Sequence, residues 1–434
     1  MGEKRGKQSP SRGRPLTSAQ LKRNAILHGL DGVFFFAAVT LFSRQTVMVK
    51  LISELNDSSF LLGLVSAVFW LGMLLPQTVV AKKLEGLSYK KPAVMACLVL
   101  QRVGWLVFLL TLFVWWEPTV TLTVFFAVLI LNRIASGMIT PLWTDWYTKT
   151  TNEKQWATVL GVRRAMSGVV GVFLGLLIAR IMATSGSPAR YRALLVLAVA
   201  CYAMSAVFVA LVREDRQEGL PNQRATGWAE YYRGLVRILV DRPDFRAFVL
   251  ASLAVTLPVT LILTFLARYG LAHEEATEGI VGTFTAFFQG PLALGAVVGG
   301  VLSDNRNVIV PFRVMPLLLA AAIGAAVVSA HPAVVSAAFA LLGLAMGIRL
   351  TCLLPAIFRF AEPHRLPSYT ALCMTVLGIP RAVVPLLAGG LIDAGVIGFR
   401  EVFLFSGALC LWGWLMFLRM PPPARDRQQA PLNG

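Results

Sequence analysis

The segment Ser59-Phe60-Leu61-Leu62-Gly63, which continues to Phe69, recurs in altered form as Glu278-Gly279-Ile280-Val281-Gly282, which continues to Phe288. Three positions are identical in the two copies: Gly63 and Gly282, Ala67 and Ala286, and Phe69 and Phe288. The same offset, 219 positions from 63 to 282, places Glu85 on Asp304. Both acids follow an apolar stretch and precede basic residues. The chain therefore contains a repeated half.

Twelve apolar stretches, each long enough to cross a bilayer, lie in two sets of six on either side of a polar stretch. We place them near residues 25–50, 60–81, 93–115, 119–142, 156–181, 191–212, 246–270, 279–302, 314–331, 333–358, 368–392 and 399–420. Hydrophobic residues make up 56% of the 434 residues and charged residues only 14%, about half the charged share of a soluble domain. The sequence predicts an all-α integral membrane protein with twelve transmembrane helices in two six-helix bundles.

The domain boundaries follow from these spans. They are a basic tail (1–24), an N-terminal bundle (25–212), a linker (213–245), a C-terminal bundle (246–420) and a second tail (421–434). The linker becomes helix-like from Trp228 to Val240, before Asp241-Arg242-Pro243-Asp244 ends the pattern. We interpret it as an amphipathic helix on the cytoplasmic surface that ties the bundles together.

Basic residues concentrate in alternate loops. The connection after the second predicted span holds Lys90 and Lys91, whereas the one after the first holds Glu54 and Asp57. Arg190, between the fifth and sixth spans, is an exception. The positive-inside rule predicts a plasma (inner) membrane protein with both termini in the cytoplasm. It also explains the net charge of +18, so we expect no nucleic-acid partner.

The residue patterns of common membrane enzymes and pumps are missing from the sequence. The five cysteines lie in apolar segments without metal or redox spacing. The four histidines lie at span edges: His28, His273, His331 and His364. The sequence contains no Gly-x-x-x-x-Gly-Lys-Ser/Thr loop, which excludes a primary pump driven by this chain alone. We expect no enzyme activity, no metal and no cofactor.

A loop motif follows the eighth predicted span. Gly300-Val301-Leu302-Ser303-Asp304-Asn305-Arg306 resembles the cytoplasmic-loop signature of the major facilitator superfamily. Glycine lets two helices approach closely, and an Asp can bind the N-terminus of a helix in the neighbouring bundle. In that family the contact latches one conformation. The first-half copy is degraded, with Ala81 in place of Gly and Glu85 in place of Asp. The predicted latch residues are Glu85, Lys90, Lys91, Gly300, Asp304 and Arg306.

A second motif, Arg133-Ile134-Ala135-Ser136-Gly137 in the fourth predicted span, is similar to the Arg-x-x-x-Gly pattern that this family often uses in proton coupling. The glycines of the fifth span lack the Gly-Pro pair of the family's antiporters, so we interpret them as helix contacts. They are Gly161, Gly168, Gly171 and Gly175. The resemblance implies two bundles related by an axis along the membrane normal, a cavity between them, and alternating access.

Charged residues within membrane spans are candidates for function. Arginines outnumber acids there: Arg44, Arg102, Arg133, Arg163, Arg164, Arg349 and Arg381. Arg381 lies between Pro380 and Pro385 near the middle of its span, which indicates a binding site. For Arg102, Arg163 and Arg164, we favour contact with the cytoplasmic membrane edge or with loop carboxylates. The predicted substrate contacts are Arg44, Arg381, Gln77, Gln289 and Asn132, and Trp70 offers a stacking surface.

Asp31 and Arg133 are the candidates for coupling. Asp31 lies about 10 Å inside the first span and Arg133 about 13 Å from the same membrane edge, so the two residues are level. A carboxylate beside Arg stays ionised, and one moved away from it in a low dielectric takes up a proton more readily. Asp31 has an equal alternative, in which it anchors a helix end beside His28.

The function that fits these patterns is secondary active transport of a small anionic or zwitterionic solute by alternating access. We expect a monomer in the lipid bilayer with a small-molecule substrate, and we leave a proton or ion co-substrate open. The alternative is a non-transporting relative that serves as a membrane assembly factor or sensor. The repeat and the motifs do not separate the two.

Overall fold

The computed structural model describes residues 16–84, 89–152, 156–215, 228–305, 308–361 and 366–421. In these ranges the chain forms fourteen α-helices. They are α1 (Ser18–Leu41), α2 (Val47–Leu55), α3 (Ser59–Leu84), α4 (Lys91–Val114), α5 (Pro118–Thr150), α6 (Trp156–Thr184), α7 (Ala189–Leu211), α8 (Trp228–Asp241), α9 (Pro243–Leu271), α10 (Ile280–Asn305), α11 (Val310–Val328), α12 (Pro332–Phe360), α13 (Leu366–Asp393) and α14 (Phe399–Arg419). Most of both predicted tails lies outside the described residues.

The helices give twelve spans, as the sequence predicts. Eleven helices are long and apolar enough to cross a membrane, and α3 adds a shorter apolar stretch, Ser59–Leu74. The short helix α2 continues the first span, and α8 occupies the linker stretch for which a helix is predicted. The predicted all-α fold with two six-helix halves is confirmed. We call α1–α7 the N-terminal half and α9–α14 the C-terminal half.

The first span is broken between α1 and α2, which the sequence analysis did not predict. Ser43 and Thr46 hydrogen-bond to each other through their hydroxyl groups, and the Ser43 hydroxyl also accepts from the backbone of Val47 at 3.3 Å. Such short hydroxyl side chains compete with helical hydrogen bonds. Thr46 in turn bonds Thr285 of the C-terminal half at 2.7 Å. The break places Arg44 in a non-helical segment at membrane depth.

The repeated glycines occupy equivalent places in the two halves. A Cβ atom at Gly63 of α3 would lie 2.7 Å from the Cα atom of Leu386 in α13. A Cβ atom at Gly282 of α10 would lie 2.5 Å from the Cα atom of Ala179 in α6. Each glycine therefore allows a helix of one half to touch the backbone of the other. The repeat read from the sequence is a repeat of inter-half contacts.

The other glycines follow the predictions only in part. Gly168, Gly171 and Gly175 of α6 contact α10, which confirms them as helix contacts. At Gly161 an added Cβ atom would meet no described atom within 4 Å, so the predicted contact there is wrong. The close approach expected of Gly300 lies one residue earlier, at Gly299, whose Cβ atom would come within 2.9 Å of the Ile348 Cα atom. A single step along a helix rotates a residue by about 100°.

Cross-half contacts close one face of the molecule. We call this the far face, because it lies opposite the face on which α1 begins and α14 ends (the termini face). Glu278 forms ion pairs with Lys50, at 3.0 Å, and with Arg190. The carboxylate of Asp393, at the end of α13, accepts from the backbone N–H groups of Ser59 at 2.7 Å and Phe60 at 3.0 Å. Asp393 thus caps α3 of the other half. Arg190, the exception to the positive-inside rule, therefore contributes to the contacts that close the far face.

Candidate functional site

Two arginines of the N-terminal half cover one aromatic ring of α3. The guanidinium carbon of Arg44 lies 4.3 Å from the centre of the Phe69 ring, and that of Arg133 lies 4.4 Å from it. Such cation–π contacts stabilise a desolvated guanidinium group by about 2 kcal/mol. The Nη1 atom of Arg44 is buried without a hydrogen-bond partner among the described residues.

One arginine from each half approaches the neighbouring ring, and a second arginine of the C-terminal half contacts the same face of α9. The guanidinium carbon of Arg381 lies 3.2 Å from the centre of the Trp70 ring, and that of Arg44 lies 5.9 Å from it. Arg381 also donates through Nε to the hydroxyl oxygen of Thr260 at 3.3 Å. Arg349 donates to the hydroxyl of Thr256 at 3.2 Å, and Thr256 lies one helical turn before Thr260 on α9. Arg349 and Arg381 are each only 5% exposed.

These four residues, Arg44, Arg133, Arg349 and Arg381, form what we call the arginine cluster. Among the described residues, no Asp or Glu pairs with any of the four guanidinium groups. Buried charges without counter-charges are costly. The cluster is therefore an electropositive site, formed by both halves, that an anion would neutralise. Arginine binds carboxylates and phosphates through two parallel hydrogen bonds.

The threonines that support the cluster were not predicted. Thr256, Thr260 and Thr264 recur every four residues on α9, so they share one helix face. Each hydroxyl donates to a carbonyl oxygen one turn earlier, which leaves its oxygen lone pairs for the guanidinium groups or for Ser66 of α3. The four-residue spacing in the seventh predicted span was the signal in the sequence. The role of Phe69 also had a signal, since Phe69 is identical to Phe288 in the repeat.

The polar residues that were predicted to contact the substrate do not lie together in the structure. Gln289 donates to the hydroxyl of Thr40 at 2.8 Å and so joins α10 to α1. Asn132 is buried; it donates to the backbone oxygen of Gln101 at 2.6 Å and accepts from Nε of Arg133 at 2.9 Å. Asn132 therefore orients Arg133, and it is not part of the lining of the 440 Å³ cavity. The side chain of Gln77 lies outside the described part of α3.

The similar depths of Asp31 and Arg133 suggested that the two residues pair. In the structure Asp31 has other partners. Its carboxylate lies 3.4 Å from Arg163 and 3.9 Å from Arg102, and it accepts a hydrogen bond from Ser205. The depth of a residue in a span sets its height but not the side of the helix on which it lies. Asp31 faces α4, α6 and α7, whereas Arg133 turns to Phe69 on α3. Arg102 and Arg163, expected at the membrane edge or at loop carboxylates, are held by this intramembrane acid.

The latch residues are described only in part. Glu85 and Arg306 lie outside the described residues, as does the side chain of Asp304. Lys90 forms an ion pair with Asp145, and Lys91 donates to the carbonyl oxygen of Val212 at 2.8 Å. These contacts hold α4 to α5 and to the end of α7, all within the N-terminal half. A latch role for the six residues stays a prediction.

A cavity of about 440 Å³ opens beside the arginine cluster. Its lining comes from α1 to α7 and includes no described residue of the C-terminal half. The sequence predicts a cavity between the halves instead. The difference arises because Gly175 and Gly63, with the glycines near them, bring α6 onto α10 and α3 onto α13 along much of their length. A space of about 10 Å³ beside Arg44, lined in part by Leu263 and Thr264 of α9, lies between the halves, whereas the larger cavity lies inside the N-terminal half.

Comparisons with known proteins agree with this architecture. The family model of the Major Facilitator Superfamily matches residues 32–307 and 271–434. A comparison with curated proteins finds no match. A mutant of the nucleoside transporter NupG has a similar solved structure, with a TM-score of 0.70 and 9% identity over 92% of this chain and 99% of that one.

Two further structures are similar in fold. A bacterial homologue of the human lysosomal transporter Spinster, in an inward-facing and unoccupied conformation, gives a TM-score of 0.65 with 14% identity over 94% of this chain and 99% of that one. The human organic anion transporter MFSD10 gives 0.63 with 13% identity over 91% and 99%. These identities show a shared fold, and the family model covers most of the chain. The protein belongs to the major facilitator superfamily, whose members are membrane transporters and not enzymes.

Proposed function

We propose that the protein is a secondary transporter that moves a small anionic solute by alternating access. The observation that carries the proposal is the arginine cluster: four guanidinium groups, two from each half, with no carboxylate paired to them among the described residues. Arg349 and Arg381 are buried, and Arg44 and Arg133 are half-buried. A solute held by Arg44 and Arg381 together contacts both halves. Its affinity therefore depends on how the halves are arranged, as alternating access requires.

An anion fits the cluster better than a zwitterion does. The ammonium group of a zwitterion needs a carboxylate or several oxygen acceptors. Asp31 is the one acid on the described cavity lining, and Arg102, Arg163 and Ser205 already engage it. The solved structure of a human organic anion transporter with a similar fold, MFSD10, is consistent with an anionic solute on this scaffold.

Proton coupling through Asp31 is the second part of the proposal. Asp31 belongs to α1, whereas its partners Arg102, Arg163 and Ser205 belong to α4, α6 and α7. A shift of α6 during rocking would draw Arg163 away and change the charge around the carboxylate. The partner that completes the coupling site is then Arg163, and Arg133 belongs to the substrate site.

The proposed orientation has the termini face in the cytoplasm and the far face outside. The loops that carry Lys90 and Lys91 support it through the positive-inside rule. In that orientation the far-face contacts of Glu278 and Asp393 close the outer entrance. A cysteine introduced at Ser88 should then resist an impermeant maleimide in intact cells, and rapid labelling from outside would reverse the orientation.

The experiment that tests the function uses purified full-length protein. A thermal-shift screen in detergent compares anionic, zwitterionic and cationic metabolites of matched size, and the stabilising compounds are then labelled for uptake into proteoliposomes. We expect stabilisation by anions and saturable uptake. An assembly factor or sensor would bind a compound but move nothing, so binding without uptake would favour that alternative. Stabilisation by cations alone would contradict the proposed charge.

A further inference from the structure

The cavity of the N-terminal half is elongated and begins at the arginine cluster. Arg44 and Arg133 line one end of the 440 Å³ space, and Trp143, Thr144 and Arg163 line the other. Arg133 and Thr144 are eleven positions apart on α5, from 133 to 144, which corresponds to about 16 Å along the helix axis. The volume lies within the range of about 300–1,000 Å³ that is typical of sites for small organic ligands.

The rest of the wall is mainly apolar. It is made of the aromatic and aliphatic side chains of Phe35, Phe42, Leu98, Trp105, Leu129 and Ala198. The polar side chains along it are engaged with each other, since Gln101 donates to the hydroxyl of Ser136 at 2.7 Å and Ser136 donates to the Asn132 carbonyl. Water in such a space finds few partners. An apolar group therefore fills the wall region more favourably than water does.

The polar atoms that lack partners at the ends of the cavity are all donors. Nη1 of Arg44 at one end, Nε of Arg102 and Nη1 of Arg163 at the other, and Nε1 of Trp105 in the wall are buried without a hydrogen-bond partner among the described residues. Such a lining accepts a ligand with an acidic head and an apolar body, and it repels a cation.

We infer that the substrate is an amphiphilic anion. The acidic group of this anion binds the arginine cluster. The anion carries a single aryl or alkyl substituent, which occupies the cavity of the N-terminal half. The inference rests on the proposed function and narrows the solute to a substituted carboxylate, sulfate or phosphate, in contrast to a hydrophilic anion. Because the cavity belongs to one half, the apolar substituent stays with the N-terminal half while the acidic head changes its contacts with Arg381.

A homologous series tests the inference on full-length protein in detergent. The probes are phenylalkanoates from phenylacetate to phenylhexanoate, with primary alcohols and amines of the same lengths. Affinity is measured by thermal stabilisation at increasing ligand concentration. We expect each methylene group to increase the affinity of the acids by about two- to fourfold, up to the length that fills the cavity. The alcohols and amines should bind at least about tenfold more weakly.

Variants locate the apolar subsite. Ala198→Phe fills the cavity from α7, and Ala203→Phe adds the same ring on the exposed face of that helix. Ala198→Phe should abolish the gain in affinity with chain length, whereas Ala203→Phe should leave that gain unchanged. Val39→Phe, at a partly exposed lining position, repeats the test if Ala198→Phe does not fold.

The outcomes separate the two proposals. The apolar subsite would be overturned if the acids bound with an affinity independent of chain length. It would also be overturned if Ala198→Phe and Val39→Phe both left the length dependence intact. Either result would leave the anionic site standing. A length dependence equal for acids and amines would overturn the anionic site and, with it, the amphiphilic anion. Binding of none of the probes, including the longest acid, would overturn both.

Discussion

The guanidinium group of Arg381 in α13 lies over the ring of Trp70 in α3, at 3.2 Å from the ring centre. Trp70 also meets Phe69 edge to face, with ring centres 5.2 Å apart, and Phe69 carries Arg44 and Arg133. Two adjacent aromatic residues thus hold guanidinium groups of both halves. Any motion that separates α3 from α13 separates Arg381 from Trp70, so the conformation and the affinity for an anion are linked.

The cap on α3 predicts how the far face opens. Asp393→Ala removes a helix cap that comes from the other half, and such caps contribute about 0.5–2 kcal/mol. We expect the far face to open more often, so that a cysteine replacing buried Leu62 reacts about two- to thirtyfold faster with an impermeant maleimide. The background is a variant without the five native cysteines.

The matched control for this cap is Glu401→Ala. Glu401 accepts from the backbone N–H of Gly398 at 2.8 Å and so caps α14 within its own half. Labelling at position 62 should not change in this variant. Equal acceleration by both substitutions would mean that the cap stabilises a helix and not the contact between the halves.

The glycines of α6 predict a steric test of the same contact. A Cβ atom at Gly175 would lie 2.6 Å from the backbone nitrogen of Ala286 in α10. We expect Gly175→Ala to destabilise the far-face-closed conformation by about 1–3 kcal/mol, as overpacking does, with a lower melting temperature and slower transport. Gly161→Ala on the same helix is the control, because its Cβ atom would face open space. A Gly175→Ala protein that melts and transports like the control would contradict the close packing.

Much of this architecture was predictable because it depends on composition and length. Twelve spans and the repeat follow from apolar runs and from matched pairs such as Gly63 and Gly282. The contacts of individual side chains depend on the direction in which each residue points from its helix axis. The depth of a residue in its span does not reveal that direction. Asp31 and Arg133 have similar depths but face different helices, and Gly299 takes the contact expected of Gly300. The cavity inside one half follows from how closely the halves pack, which no single residue of the sequence indicates.

Glu278 predicts a pH dependence of the far face. Partial burial raises the pKa of Glu278, but the hydrogen bonds and charges of Lys50 and Arg190 lower it by more, so the net pKa is below its usual value. The ion pairs therefore stabilise closure above the usual pKa of a glutamate, and this contribution is lost as pH falls through the lowered pKa. Labelling at position 62 should accelerate only in that acidic range. In Glu278→Gln, labelling should be fast at neutral pH and should lose this pH dependence. A Glu278→Gln protein that keeps the wild-type profile would exclude Glu278 as the cause.

If Asp31 couples transport to protons, its substitution should abolish accumulation driven by a pH gradient and spare exchange of the substrate. Asp31→Asn removes the negative charge between Arg102 and Arg163. We expect accumulation driven by a pH gradient to be lost in proteoliposomes, whereas exchange of labelled for unlabelled substrate continues. Glu117→Gln, which alters an exposed helix cap on α5, should retain both activities. Gradient-driven accumulation that survives Asp31→Asn would remove Asp31 from the coupling mechanism.

The most direct test of the anionic site is the affinity of Arg381→Lys for the transported solute, measured by concentration-dependent uptake in proteoliposomes. Lysine keeps the charge but loses the two-pronged hydrogen bonding of arginine. A hydrogen bond between charged groups contributes about 1.5–3 kcal/mol, so the apparent affinity for an anion should fall about 10- to 150-fold. Arg180→Lys, on an exposed face of α6, should leave it unchanged. An unchanged affinity in Arg381→Lys, or a transported solute that is a cation, would contradict the arginine cluster as the substrate site.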